Sequence, residues 1–352
     1  YYYHKAKKGA TSTVVSVDIG GGTTDVLIVD KGEPKYLTSF RFAANTIFGD
    51  GYSYDSDSNG FVNKYKDIIT NQLETNNLRG LKAVLKSVLD KRVSTDVIAF
   101  LFSLASNKEI KKEKVEINFA KMLADDNRGK YVVILFYVAI VYHIAKLMKA
   151  KGFDMPRHMT FSGNGSKVLN ILSTNDATLV RLTKIIFEEI YAQSYSIDGL
   201  DIIRPANSKE STCKGGIILT PFQSQDYGEI KDMKTILIGT DNEKFADVHM
   251  TYNDVTEADL DSVVDVIKEY IEFTFKLDKK FSFYDNFDVD RSIMNKVKDL
   301  CYRDIRTYLE NGLAIKKSEI AQDGADDNLE ETLFFYPLVG IINAVVRNIY
   351  QM

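Results

Sequence analysis

Two hydrophobic periods divide the chain. Near the start, Val14-Val15-Ser16-Val17 and Thr24-Asp25-Val26-Leu27-Ile28-Val29-Asp30 are short apolar, β-branched runs separated by glycines, which predicts two buried strands. Lys31-Gly32-Glu33-Pro34 reads as a turn, and residues 35–42 predict a third strand, so a meander opens the chain. From residue 61 to 151 the pattern becomes helical. Leu78, Leu81, Val84, Leu85, Val88 and Leu89 recur at spacings of three and four, one face of an amphipathic helix. Residues 97–104 and 115–123 predict further helices. Residues 131–148 are apolar on all sides, but the uninterrupted run ends before His143, short of the ~20 residues that span a bilayer. That predicts a core helix rather than a transmembrane segment.

After Gly152, Met159-Thr160-Phe161 predicts a short strand, and residues 168–172 and 179–191 return to helical patterning. The C-terminal part begins with an expected hairpin, residues 235–238 against 248–251. Thr256-Glu257-Ala258-Asp259 has the hydroxyl cap and acidic first turn of a helix start. A long helix to about residue 277 and a second over 290–309 are expected to follow. Residues 333–350 are apolar but carry Pro337, Asn343, Arg347 and Asn348, which suits a core or partner-facing helix better than a membrane anchor.

Composition changes this picture little. At 352 residues, 45% hydrophobic and 27% charged, the chain has the make-up of an ordinary globular protein with room for two domains. The net charge of −4 gives no global indication of nucleic-acid binding. Cys213 and Cys301 make no disulfide framework, which fits a reducing, cytoplasmic setting. Nothing in the opening residues resembles a signal peptide: Tyr1-Tyr2-Tyr3-His4-Lys5 leads into lysines, not an apolar run. Charge is uneven, however. Residues 60–151 hold 17 basic and 9 acidic residues, while 219–352 hold 15 basic and 26 acidic. Solvated helical faces account for both blocks, and an interaction between them or with a charged partner is the alternative.

The chemistry concentrates in Val17-Asp18-Ile19-Gly20-Gly21-Gly22-Thr23-Thr24-Asp25. Three glycines between buried strands let backbone approach a ligand closely, and successive amides there can cradle a phosphate. Asp18 and Asp25 bracket the turn with carboxylates, which suits a hydrated Mg²⁺ on a polyphosphate. A tight hairpin is the plain alternative, and neither a P-loop nor a dinucleotide fingerprint is present. A second glycine turn, Phe161-Ser162-Gly163-Asn164-Gly165-Ser166-Lys167, joins a strand to a helix and offers another place for a nucleotide. Asp55-Ser56-Asp57-Ser58-Asn59-Gly60 mimics the opening of a calcium loop. Lys66 stands where that loop needs a bidentate Glu, so an EF-hand is rejected. His4, His143, His158 and His249 show no metal-binding spacing.

Together the two turns resemble the actin/Hsp70/sugar-kinase ATPase superfamily. VDIGGGTTDVLIVD is similar to its second phosphate motif, in the form of bacterial actin-like and Hsp70-type members, and FSGNGSKVLNIL to its adenosine motif, with Asn164 where glycine is commoner. Lys209-Glu210-Ser211-Thr212-Cys213-Lys214-Gly215-Gly216 looks like the small-residue helix ending the second lobe. The resemblance covers roughly residues 10–218. It implies an α/β, ribonuclease H-like (actin-type) second lobe formed by residues 1–53 and 152–218. Residues 54–151 would be an inserted helical subdomain, and 219–352 an appended region with a β-hairpin and helices. It also implies ATP or ADP with Mg²⁺ as ligand. Asp18 and Asp25 would hold the metal through water, Gly20, Gly21, Gly22 and Thr23 would meet the phosphates, and Gly163, Asn164, Gly165 and Ser166 would line the adenosine.

No Asp-x-Gly phosphate hairpin of the first lobe precedes Asp18, and residues 1–8 look like the end of an interlobe helix. The chain is therefore expected to be a C-terminal fragment of a longer ATPase whose partners are its other lobe and an unidentified protein. A nucleotide-regulated filament or scaffold protein, and a non-hydrolysing nucleotide-binding module, are the alternatives. Hydrolysis requires water, metal and phosphate to be positioned together, so negligible ATP turnover is expected of this chain alone.

Overall fold

A computed structural model describes residues 12–49, 59–195, 199–205, 251–323, 328–329 and 331–352. The expected segment 209–216, the hairpin strand 235–238 and most of its partner 248–251, and residues 55–58 lie outside these. Thr251, the last residue of that expected hairpin, pairs with Asn328 in an isolated antiparallel bridge.

The described residues form an α/β fold built on one five-stranded mixed sheet. Its strands are β1 (Val14–Ile19), β2 (Thr24–Asp30), β3 (Glu33–Phe40), β4 (His158–Ser162) and β5 (Asp201–Ile203). Their spatial order is β3-β2-β1-β4-β5. The opening meander is antiparallel, whereas β4 runs parallel to β1 and β5 parallel to β4. The first three strands and β4 follow the apolar runs of the sequence. The three-residue β5 carries too little pattern to be expected.

Between β3 and β4 the described residues form helices α1 (Ala44–Phe48), α2 (Gly60–Thr75), α3 (Arg79–Asp90), α4 (Ser94–Ser103), α5 (Lys108–Lys112), α6 (Phe119–Ala124) and α7 (Lys130–Ala150). Two more, α8 (Leu169–Leu172) and α9 (Asp176–Tyr191), lie between β4 and β5. The C-terminal part adds α10 (Glu257–Phe281), α11 (Phe283–Phe287), α12 (Met294–Tyr302), α13 (Ile305–Asp323) and α14 (Phe335–Asn348). Thr256 caps α10 as its sequence predicts, in a reciprocal capping box with Asp259. The single helix expected over 290–309 is broken. Asp304 takes a left-handed conformation (φ 56°), and α12 and α13 lie on either side of it.

Helix α7 is the one described helix long and apolar enough to cross a membrane, and 94% of its most apolar stretch is buried inside the protein. It packs against α9, α10 and α14, so its all-round apolar surface is met by protein. Aromatic rings join it to the sheet and the C-terminal part. Phe335 stacks on Phe40 (4.1 Å) and Phe42 (4.7 Å), Phe42 stacks on Phe136 (5.0 Å), and Tyr137 lies 5.7 Å from Phe161. One continuous cluster of buried side chains runs from Val15 to Ile349, so helices 60–151 and 257–348 share a core with the sheet.

His143 sits inside this cluster, edge-on to Phe40 and stacked on Phe334. Burial pushes its pKa down to about 3. The folded state therefore keeps the ring neutral while the unfolded chain takes up a proton near pH 6.5. Its contribution is fully present above pH 6.5 and is lost as pH falls towards 3. Replacing His143 with Leu should make the pH dependence of unfolding free energy shallower by about 1.4 kcal/mol per pH unit between pH 6 and 4. Urea titrations across that range measure it, and an unchanged slope would show that the ring is not held neutral.

Candidate functional site

The register of the sheet brings the two glycine turns together. Strands β1 and β4 are parallel neighbours with Asp18 opposite Ser162, so Gly20 and Gly163 leave the sheet at the same edge. The contact is too close for side chains. A Cβ on Gly163 would lie 2.2 Å from Asp18 Oδ1 and 2.2 Å from the Ile19 carbonyl oxygen. One on Gly165 would lie 2.2 Å from the Gly20 carbonyl oxygen. Gly163 also has φ +80°, a left-handed conformation costly for any other residue. These two glycines thus let one turn nest against the other.

The first turn is closed by a hydrogen bond from the Gly20 amide to the Thr23 carbonyl (2.9 Å). Its far side is held by the start of α1. Ala44 N–H donates to the Gly20 carbonyl (3.3 Å) and Asn45 N–H to the Gly21 carbonyl (2.8 Å). In a trans peptide the N–H points opposite to the C=O of the preceding residue. Fixing the carbonyls of Gly20 and Gly21 therefore turns the amides of Gly21 and Gly22 away from α1. Both residues are exposed, and their amides take no partner among the described residues. Of the two threonines, Thr23 is exposed, whereas Thr24 is buried and its hydroxyl donates to the Phe42 carbonyl (2.7 Å).

Asp18 and Asp25 are direct cross-strand partners, so both project from one face of the sheet, and like charges placed so repel. Burial and the charge of Asp25 raise the pKa of Asp18, opposed by a hydrogen bond with Ser162. That hydrogen bond only partly offsets burial and repulsion at Asp18, which suits a cation held at the rim of the turn.

The second turn divides its labour differently. Ser166 is buried and its hydroxyl donates to the Gly163 carbonyl (2.8 Å), so it shapes the turn. Asn164 is exposed with an ordinary φ of −69°, so glycine's freedom is not needed there. Gly165 opens a single 3₁₀ turn, Gly165–Val168, that leads into α8.

Between the turns and the inserted helices lies a cavity of about 570 Å³, a size that suits a small organic ligand. Gly20, Gly21, Asn164 and Gly165 line it. Gly22, Thr23, Gly163, Ser166, Asp18 and Asp25 do not. Its apolar wall comes from Phe48, Ile98, Phe102, Val168 and Ile171, with Asn45, Thr95, Lys167 and Asn170 as polar groups. Phe48 and Phe102 meet edge to face, 5.3 Å apart. Only the first and last of the sequence segments here carry a glycine signal. The α4 residues Thr95, Ile98 and Phe102 have none, and the pairing that delivers them is tertiary.

No family model matches the chain, and no curated protein matches it.

Because its folded-state pKa is raised, Asp18 contributes stability that is fully present below the unfolded value near 3.8 and is lost as pH rises through the folded value. At neutral pH its charge therefore costs stability. Asp18→Asn should raise the thermal midpoint at pH 7 in metal-free buffer, with the gain shrinking towards pH 4. A lower midpoint at pH 7 would contradict the assigned electrostatics.

Proposed function

We propose that the chain carries the nucleotide-binding lobe of an actin/Hsp70/sugar-kinase-type ATPase, ribonuclease H-like in fold, and that its paired glycine turns bind ATP or ADP with Mg²⁺. The observation that carries this proposal is the nesting of the turns at the carboxyl ends of adjacent parallel strands, where α/β sheets commonly take ligands. The strand order, with an antiparallel meander followed by two parallel strands, supports the same reading. So does the placement of the helical insertion after β3, which supplies one wall of the cavity.

In this proposal the outward amides of Gly21 and Gly22, with the Thr23 hydroxyl, hold the terminal phosphate oxygens. Gly20 shapes that turn through its own hydrogen bond. Asp18 and Asp25 would hold Mg²⁺ through water, and the metal would supply charge neutralisation for the polyphosphate. Asn164 and Gly165 border the nucleoside, with Gly163 and Ser166 fixing the turn behind them. The apolar surface of Phe48, Ile98, Phe102, Val168 and Ile171 suits a base and ribose better than it suits phosphate. Lys167 at the cavity edge adds a cation for a phosphorylated ligand. Closing such a site around nucleotide is the kind of switch that changes a partner interaction, and a cytoplasmic setting suits it.

Calorimetric titration tests the proposal. Mg-ATP and Mg-ADP should each bind the wild-type chain. Asp18→Asn should weaken binding about tenfold or more by removing a charge-assisted contact, without lowering thermal stability. Absence of binding at millimolar Mg-nucleotide, or equal affinity in Asp18→Asn with and without Mg²⁺, would overturn it.

A further inference from the structure

The amides that the glycine turn presents are aimed by the segment 41–45, and that segment is gripped from the far end of the sequence. Glu331 is buried, its side chain only 8% exposed. Its Oε2 accepts from the backbone N–H of Arg41 (2.9 Å) and its Oε1 from the Tyr336 hydroxyl (3.0 Å). Burial and the Glu331 charge push the Tyr336 pKa up, so that hydroxyl remains a donor. Tyr336 in turn meets the Tyr252 hydroxyl at 3.1 Å. The Arg41 side chain adds Nε 3.7 Å from Glu331 and an ion pair to Glu319 of α13. One residue on, the Phe42 carbonyl takes the Thr24 hydroxyl, and Ala44 and Asn45 donate to Gly20 and Gly21.

A buried carboxylate costs desolvation that an apolar side chain would avoid, and here the Arg41 backbone amide, the Tyr336 hydroxyl and the Arg41 guanidinium offset it, the first of them in the segment supporting the glycine turn. A cavity of about 220 Å³ separates the turn from the C-terminal helices at this point, lined by Gly22, Arg41, Lys316, Glu319, Glu331 and Tyr336 among others. Arg41 makes direct polar ties across it, to Glu331 and Glu319. We propose that Glu331 is a positioning residue for the glycine turn, and that through it the C-terminal helices set how strongly the turn holds a nucleotide phosphate. The second half of this statement rests on the nucleotide reading above; the first does not.

Hydrogen exchange and calorimetry on the full chain test the two halves separately. In the absence of ligand, Glu331→Ala should accelerate exchange of the Gly20, Ala44 and Asn45 amides about tenfold, leaving the α7 amides at their wild-type rates. Glu331→Gln keeps an acceptor for Arg41 N–H and should restore protection. Tyr336→Phe, a milder change, should give a smaller acceleration at the same three amides and covers the case in which Glu331→Ala does not fold. Mg-ATP affinity should fall about tenfold in Glu331→Ala and recover in Glu331→Gln. Uniform acceleration across the whole chain, or none at the three amides in either Glu331→Ala or Tyr336→Phe, would overturn the positioning role. Local acceleration with unchanged nucleotide affinity would overturn the regulatory half. If wild type binds no nucleotide, the nucleotide reading and the regulatory half fail together, while exchange still decides the positioning role.

Discussion

The candidate site depends on the parallel pairing of β1 with β4. That pairing alone brings a turn at residue 20 against one at residue 163, and it does so closely enough that Gly163 and Gly165 have no room for a Cβ. The antiparallel partner β2 then returns the chain so that Asp25 faces Asp18. A register shift of one residue in either pairing would turn these carboxylates to the other face of the sheet. Backbone approach, carboxylate pair and cavity mouth follow from one register.

Holding that register is the work of the core beneath it. Helix α7 is buried on every side, and the Phe40, Phe42, Phe136 and Phe335 rings join sheet, insertion and C-terminal part. Each fully buried large apolar side chain contributes roughly 1.5–3 kcal/mol, so the polar site rests on an apolar foundation. The C-terminal helices belong to that foundation. Besides the aromatic contacts, Asp126, in the turn before α7, accepts from Tyr65 and Tyr350 and pairs with Lys64. Residues separated by more than two hundred positions thus meet around one buried carboxylate.

Much of this was legible in the sequence, for identifiable reasons. Strands β1, β2 and β4 are short apolar runs ended by glycine, and both signals are local. The cap of α10 was legible in Thr256 and Asp259. Less visible were elements without a period of their own: the three-residue β5, and α1, whose cap position Ala43 has no side-chain acceptor. The break at Asp304 was hidden because an aspartate, not a glycine, takes the left-handed conformation there. Within the site, sequence pointed to both turns and to Asp18 and Asp25. It could not separate Asn164 from Ser166, because which side chain is spent on holding the turn depends on tertiary partners. Phe48, Phe102 and the Arg41–Glu331 contact are products of packing between distant segments.

The proposed function requires that two turns far apart in sequence act as one nucleotide site. The most direct measurement is an amide chemical-shift titration of the isotopically labelled chain with Mg-ATP. The account predicts that Gly21 and Gly22 shift together with Asn164 and Gly165, along saturation curves described by a single dissociation constant. Shifts confined to one turn, separate dissociation constants for the two, or no response in either would contradict it.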